Sequence, residues 1–392
     1  MEECKNCFTC QNCFQDQSGN SDRGYGLTFI VTQGCNMNCP YCWVKKDKAH
    51  LTAEQMKLAF DKVKEKGNVA VGFFGGEPLL YFDEIKKFTE LVKDDPKFKG
   101  FSLTTNGTLV TDEVIDWIKE NKVDFILSYD GPLAQKLVRG RDNELRPIVH
   151  KLGRLPNATL RMTCTKELVP YVPSFIEFGI KAGFKHLVVE PTTGNKEVYD
   201  EEALEYFLRE SCRVWVQALL NGYWVNYKVI QDGVKYQINK FKEKTACGNS
   251  PRNFAFSTDL KFYGCHRYAT NKKGQGYLGD LETGIRDDLL KEHIESVDYT
   301  KIKSAIYDCE TCPANGSCLG GCIAGNLEDN EDKHIASPAF CQWTKTICEI
   351  MKDVAKDEIS TQLVLKGFDQ NMLLGFIWRK VMTGNIGPLE EI

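Results

Sequence analysis

Between residues 27 and 190, short apolar runs alternate with amphipathic stretches six times over, and no other property of this 392-residue chain restricts its fold as strongly. The runs cover residues 27–32, 69–74, 101–105, 125–128, 159–163 and 186–190, and each predicts a buried strand. The stretches between them have helical periodicity. In residues 52–66, Met56, Ala59, Phe60 and Val63 recur at i, i+3, i+4 and i+7, on one face of a helix. Thr52 stands three residues before Gln55, the spacing of a capping box. Strict alternation of strand and helix implies parallel strands joined by right-handed crossovers. Six such units make a barrel short of the full eight, and chemistry in such barrels belongs at the C-terminal ends of the strands.

The residues at those ends agree with one site. The first run leads into Cys35, Cys39 and Cys42, spaced C-x3-C-x2-C. The second leads into Gly75-Gly76-Glu77-Pro78 and the third into Thr105-Asn106-Gly107. The fourth ends in Ser128-Tyr129-Asp130-Gly131, the fifth carries Arg161 and Thr163, and the sixth ends in Glu190-Pro191-Thr192. Three close thiols are an odd number for structural zinc, which usually takes four ligands. A 4Fe–4S cluster also takes four, so three thiolates would leave one iron open to a small molecule. A structural metal knuckle is the other reading of that spacing. Two glycines predict close approach of backbone to a ligand, and Glu77 adds an acceptor for a cationic group. Cys164 reads as a buried structural thiol.

Composition narrows the classes further. A formal net charge of −4 argues against a nucleic-acid backbone as the main partner. No apolar run reaches membrane-spanning length, and the Cys-rich, polar start is not a signal peptide. The 17 cysteines, odd in number and clustered, fit metal binding in a reducing cytoplasm better than a disulfide framework. Cys4, Cys7, Cys10 and Cys13 form a C-x2-C-x2-C-x2-C run that suits zinc, an extra iron–sulfur cluster or a metal-free tail. A second system holds Cys247, Cys265, Cys309, Cys312, Cys318, Cys322, Cys341 and Cys348. Its members Cys309 to Cys322 alone would also suit a zinc ribbon. The expected organisation is a Cys-rich segment at 1–26, the barrel at 27–190 and a helical bridge without strands at 191–246. An auxiliary cysteine domain at 247–348 and a helical tail at 349–392 complete it.

The two cysteine arrays in this order, with 75–78 one βα unit after the first, resemble the radical S-adenosylmethionine (SAM) enzymes that carry a C-terminal SPASM extension. The resemblance covers about residues 25–348. It implies a partial (β/α)6 TIM-like barrel in the α/β class, with a small Cys-rich SPASM extension carrying auxiliary clusters. It further implies three 4Fe–4S clusters. Cys35, Cys39 and Cys42 would hold the one that chelates SAM. Cys309, Cys312, Cys318 and Cys341 would hold an outer auxiliary cluster, and Cys247, Cys265 and Cys322 an inner one. Cys348 either closes the inner cluster or is a spare buried thiol. Tyr41 would lie against adenine, and Gly75, Gly76, Glu77 and Pro78 would hold the SAM ammonium, with Asn106 beside them. Ser128 and Asp130 resemble residues that bind ribose or line the substrate cavity. Arg161 resembles a partner of the SAM carboxylate, with a structural ion pair as the other reading. The sequence departs from the family before Cys265, where Leu260 and Gly264 stand in place of a usual glycine and a frequent proline.

Such an enzyme would use a 5′-deoxyadenosyl radical to abstract a substrate hydrogen. The favoured member is a maturase forming thioether or carbon–carbon crosslinks in a ribosomally made, Cys-containing peptide. A flavodoxin- or ferredoxin-type donor would supply electrons, and a separate leader-binding protein could assist. The alternative is a sulfatase-maturing enzyme that makes formylglycine. That family has an aspartate just after the second SPASM thiol, where this chain has His266. A non-catalytic iron–sulfur or zinc scaffold is the reading from another class.

Overall fold

A computed structural model describes residues 24–223, 225–238, 250–271 and 274–357. The readings placed on Cys4, Cys7, Cys10, Cys13, Cys247 and the tail after residue 357 lie outside the described residues. In chain order come β1 (Tyr25–Thr32), α1 (Ala53–Lys64), β2 (Val69–Gly75), α2 (Phe82–Val92), β3 (Phe98–Thr105), α3 (Asp112–Glu120) and β4 (Asp124–Ser128). There follow α4 (Ala134–Val138), α5 (Asp142–Leu152), β5 (Ala158–Cys164), α6 (Val172–Ala182) and β6 (His186–Pro191). Next are α7 (Glu201–Leu220), β7 (Asn226–Tyr227), α8 (Lys228–Ile238), β8 (Asn253–Phe256) and β9 (Lys261–Tyr263). The remainder are α9 (His266–Asn271), β10 (Tyr277–Asp280), β11 (Gly284–Ile285), α10 (Asp287–Glu295), β12 (Lys303–Ser304), α11 (Ile323–Asn330), β13 (Ile335–Ala336) and α12 (Pro338–Asp357). The fold is α/β with parallel strands, as the alternation predicts. Among the described residues no helix is long and apolar enough to cross a membrane.

The opening helix forms for the reasons its sequence carries. Thr52 Oγ1 accepts from the Gln55 amide and Gln55 Oε1 accepts from the Thr52 amide, closing the capping box. Met56, Ala59, Phe60 and Val63 are all buried, and Lys62 and Lys64 place positive charge in the last turn, where the helix dipole favours it.

Residues up to 127 together with 245–300 form one compact unit, and 128–244 together with 301 onwards form another. In the first, β1, β2, β3 and β4 pair in parallel in that order. β8 lies parallel on the other edge of β1, Gly26 opposite Asn253, and β8 to β11 continue antiparallel. This core is aromatic: Phe29 meets Phe88 edge-on at 5.2 Å and Phe73 stacks on Phe101 at 5.6 Å. Such pairs add about 0.5–1.5 kcal/mol each beyond the area they bury. In the second unit β5, β6 and β7 pair in parallel, and α12 packs against α7 and α8. Gly179 lets α6 close on β6, because a Cβ there would meet Leu187 Cδ2 at 2.4 Å.

The sequence predicts no strand between 191 and 246, yet β7 pairs with β6, His186 opposite Asn226. Two residues are too few to carry an alternating pattern, so only the paired backbone reveals the strand.

Candidate active site and cysteine clusters

The loop after β1 is built on Thr32. Its Oγ1 donates to the Ala49 carbonyl at 2.7 Å and accepts from the Gly34 amide at 3.0 Å. Cys35 and Cys39 are half-buried and Cys42 is exposed, and all three are thiols outside any disulfide. Cys35 Sγ accepts from the Met37 amide at 3.4 Å, and the Cys42 amide donates to the Cys39 carbonyl at 3.1 Å. Asn106, just past β3, braces the loop: its Nδ2 lies 3.9 Å from Cys35 Sγ and 2.9 Å from Asn36 Oδ1. Burial pushes the Cys35 thiol up; the Met37 amide opposes it, the charge of Glu77 adds to it, Lys46 opposes it, and Cys42 adds to it. Tyr41 is half-buried in this loop.

Gly75 and Gly76 are required by protein backbone. Gly75 has φ +140°, and a Cβ there would meet the Thr32 carbonyl oxygen at 2.1 Å. At Gly76 a Cβ would meet the Gly34 carbonyl oxygen, also at 2.1 Å. The Gly76 amide donates to Thr32 and the Glu77 amide to Gly34, both at 2.8 Å. The turn therefore grips the segment that launches Cys35, whereas the sequence suggests approach to a ligand. Glu77 is wholly buried. Its Oε1 accepts from the Leu79 amide and Thr105 Oγ1, and its Oε2 from the Asn106 amide. Burial pushes the carboxyl up to about 7, against the pull of those three donors. One carboxylate thus ties the turn after β2 to the turn after β3. Pro78, also buried, begins a short 3-10 turn that Glu77 caps.

In the other unit, Ser128 ends β4 half-buried and Asp130 is closed to solvent. Arg139 Nε donates to Asp130 Oδ2 at 2.7 Å, and the Thr163 amide donates to Oδ1 at 3.2 Å. The Asp130 carboxylate thereby anchors β5. Arg161 pairs with Glu190, so the ion pair is present, while its Nε is buried without a hydrogen-bond partner.

Cys309, Cys312, Cys318 and Cys341 come together in this second unit. Burial pushes Cys318 up to about 12; the Gly320 amide opposes this, and Cys341, Cys312 and Cys309 add to it. Cys341 is raised by burial and by Cys309 and Cys312, with Ser304 acting the other way. Cys318 thus lies within the field of the other three thiols, and Cys341 within that of Cys309 and Cys312. Cys322 caps α11, accepting from the Gly325 amide at 3.4 Å, and Cys348 is fully buried in α12. Cys265 belongs to the first unit, where its Sγ accepts from the Arg267 amide at 3.3 Å. Among the described residues no three His, Cys, Asp or Glu side chains stand close enough to share one metal ion. A four-iron cluster asks less, because each thiolate binds a separate iron.

The hairpin of β8 and β9 shows what each departure before Cys265 meets. Leu260 sits at φ +63°, a left-handed position that favours glycine. A Cβ on Gly264 would meet His293 Nε2 at 2.2 Å, so a proline there would require the His293 ring to shift. The sequence reading missed the rings between the two cysteine systems. Trp43 stacks on Phe74, with ring centroids 5.9 Å apart, and His266 lies 5.6 Å from Trp43. The available signal was that Trp43 and His266 each follow a cysteine directly.

Residues 29–144 match the radical SAM superfamily. The chain carries a radical SAM domain. A cysteine-type anaerobic sulfatase-maturating enzyme of Clostridium perfringens is 24% identical over 354 residues, covering 81% of this chain and 94% of that enzyme. An uncharacterized protein of Methanocaldococcus jannaschii is 28% identical over 41% of this chain, and the match spans only 60% of that protein's length. The structure of anSMEcpe with bound AdoMet superposes with a TM-score of 0.70 at 20% identity, covering 84% of this chain and 94% of that one. Streptococcus suis SuiB bound to precursor peptide SuiA gives 0.60 at 17% identity, over 82% and 76%. These two likenesses establish a fold shared with radical SAM enzymes. The chain is thus similar in sequence to a sulfatase-maturating enzyme over most of its length and similar in fold to SuiB, with the radical SAM domain at residues 29–144. A radical SAM domain implies one 4Fe–4S cluster and SAM. The three thiols of one braced loop are a donor set that fits such a cluster.

Proposed function

We propose that this chain is a maturase of a ribosomally made, Cys-containing peptide and forms a thioether or carbon–carbon crosslink. The observation that carries the reading is the second thiol set, Cys309, Cys312, Cys318 and Cys341, gathered in a chain that also carries a radical SAM loop. A radical enzyme with further clusters can both generate a radical and take up the electron left when two substrate atoms join. Bound at Cys35, Cys39 and Cys42, the cluster with SAM would supply the 5′-deoxyadenosyl radical. The protein's own part is to hold that loop. Asn106 braces it, Gly75 and Gly76 grip its start, and Glu77 ties the two flanking turns. Arg161, with a buried Nε to satisfy, suits a ligand carboxylate. Cys247, Cys265 and Cys322 are the ligands proposed for the inner cluster, with Cys348, which is fully buried, either its fourth ligand or a spare thiol. A flavodoxin- or ferredoxin-type donor, a leader-binding protein and a cytoplasmic location belong to the same proposal.

Formylglycine formation is the second reading, favoured by the match along 94% of the Clostridium perfringens enzyme. His266 after Cys265, in place of an aspartate, weighs against it. A scaffold without catalysis is the third reading, against which the radical SAM match at residues 29–144 weighs. The test is anaerobic incubation of iron-loaded protein with SAM, dithionite and Cys-containing peptides, followed by mass spectrometry. A crosslink is expected, seen as loss of a pair of hydrogens, with loss of alkylation at sulfur for a thioether and its retention for a carbon–carbon bond. Replacement of the thiol by an aldehyde would favour the second reading, and no SAM cleavage at all would leave only the scaffold.

A further inference from the structure

The loop of Cys42 and the segment of Cys265 belong to one compact unit and are joined by side chains other than the two cysteines. Trp43, directly after Cys42, stacks nearly parallel on Phe74, with rings 5.9 Å apart and 11° between planes. His266, directly after Cys265, closes the group at 5.6 Å from Trp43 and 5.0 Å from Phe74. The Arg267 guanidinium lies 5.4 Å from the Trp43 ring, and this arginine is only 7% exposed. The Arg267 amide in turn donates to Cys265 Sγ. A second tie runs from the start of the cysteine loop: Gln33 Nε2 donates to Thr258 Oγ1 in the hairpin turn at 3.4 Å. Three mutually touching rings with a buried cation over one of them fill their space, so they are a joint and not an open box for a ligand.

We infer that Trp43 and His266 are positioning residues which, with Phe74 and Arg267, clamp Cys42 to Cys265 and so fix the separation of the metal groups that these two cysteines hold. The inference rests on the reading that both cysteines bind clusters. Rings stacked in this way resist sliding, whereas two loops joined only through solvent would drift. Placement within about an ångström decides rates where groups must act on one another.

The test uses the whole iron-loaded protein, reduced with dithionite, and reads the magnetic interaction between its clusters by electron paramagnetic resonance. Wild-type protein is expected to show that interaction. Trp43→Ala and His266→Ala are each expected to lose it with iron content unchanged, while Trp43→Phe, which keeps a flat ring on Phe74, retains it. A role confined to folding would lower stability in all three without moving that signal. Full iron with an unaltered interaction in both alanine variants would overturn the clamp, as would Trp43→Phe behaving like Trp43→Ala. If Trp43→Ala fails to load iron, His266→Ala and Trp43→Phe decide by the same criteria. Wild-type protein with no cluster at Cys265 would overturn the cluster reading itself, and the clamp with it. Two full wild-type clusters without magnetic interaction would overturn the clamp alone.

Discussion

Burial and hydrogen bonding pull Glu77 in opposite directions, and the outcome is a carboxyl raised from its ordinary 4.5 to about 7. The folded chain therefore keeps a proton that the unfolded chain has already released between these values. The stability this contributes is full below about 4.5 and is lost as pH rises through about 7. The unfolding free energy of metal-free protein should fall across that window by on the order of 3 kcal/mol, and Glu77→Gln should be flat there. At the acid end the variant should also be less stable by about 1–3 kcal/mol, because an amide NH2 can face the Asn106 N–H. Denaturant titrations at several pH values would check both, and equal slopes in the two proteins would sink the argument. The sequence marked residues 75–78 as special because two glycines beside a glutamate have few other uses. It could not say that the glycines answer to the Thr32 and Gly34 carbonyls, since that contact joins chain segments some forty residues apart. The Asp130–Arg139 pair was hidden for a similar reason: nothing in the residue types distinguishes an anchor from a ligand-binding carboxylate.

The elements themselves were more legible. All six main strands lie where apolar runs predict them, because a strand buried in a parallel sheet needs apolar side chains on both faces. The β8–β9 hairpin was legible as a departure and became intelligible only through its backbone. A non-glycine residue in the left-handed region costs roughly 1–2 kcal/mol, and Leu260 sits there at φ +63°. Leu260→Gly relieves that cost but adds freedom to the unfolded chain, worth about 0.5–1 kcal/mol, so it should be neutral or stabilising by up to about 1.5 kcal/mol. Leu260→Val puts a β-branched side chain in the same conformation and should destabilise by about 1–2 kcal/mol. The ranking Gly at least equal to Leu, and Leu above Val, is the expected result of thermal melts. A valine variant as stable as wild type would show that the turn rearranges freely.

At the scale of the molecule, the two cysteine sets should behave as separate ligands of separate groups. Cys35, Cys39 and Cys42 belong to the unit of residues up to 127 with 245–300, and Cys309, Cys312, Cys318 and Cys341 to the other. Sites that share no residue should contribute additively. Replacing the first three cysteines by alanine should abolish SAM cleavage and remove roughly four irons, leaving the rest in place. Replacing Cys309 and Cys318 should remove another four or so while SAM cleavage persists. The sets should also differ in how loading responds to pH. A thiol must lose its proton to bind metal, and Cys318 is pushed up to about 12 by burial and by its neighbouring thiols, whereas Cys42 is exposed. Metal affinity of the second set should therefore be held down further near neutrality and go on climbing to higher pH, and that set should be the slower to fill near neutrality. Iron uptake by each single-set variant, followed by absorbance across a pH series, would measure this. Two sets that fill together, or that are lost together when either is mutated, would show one coupled assembly in place of two independent sites.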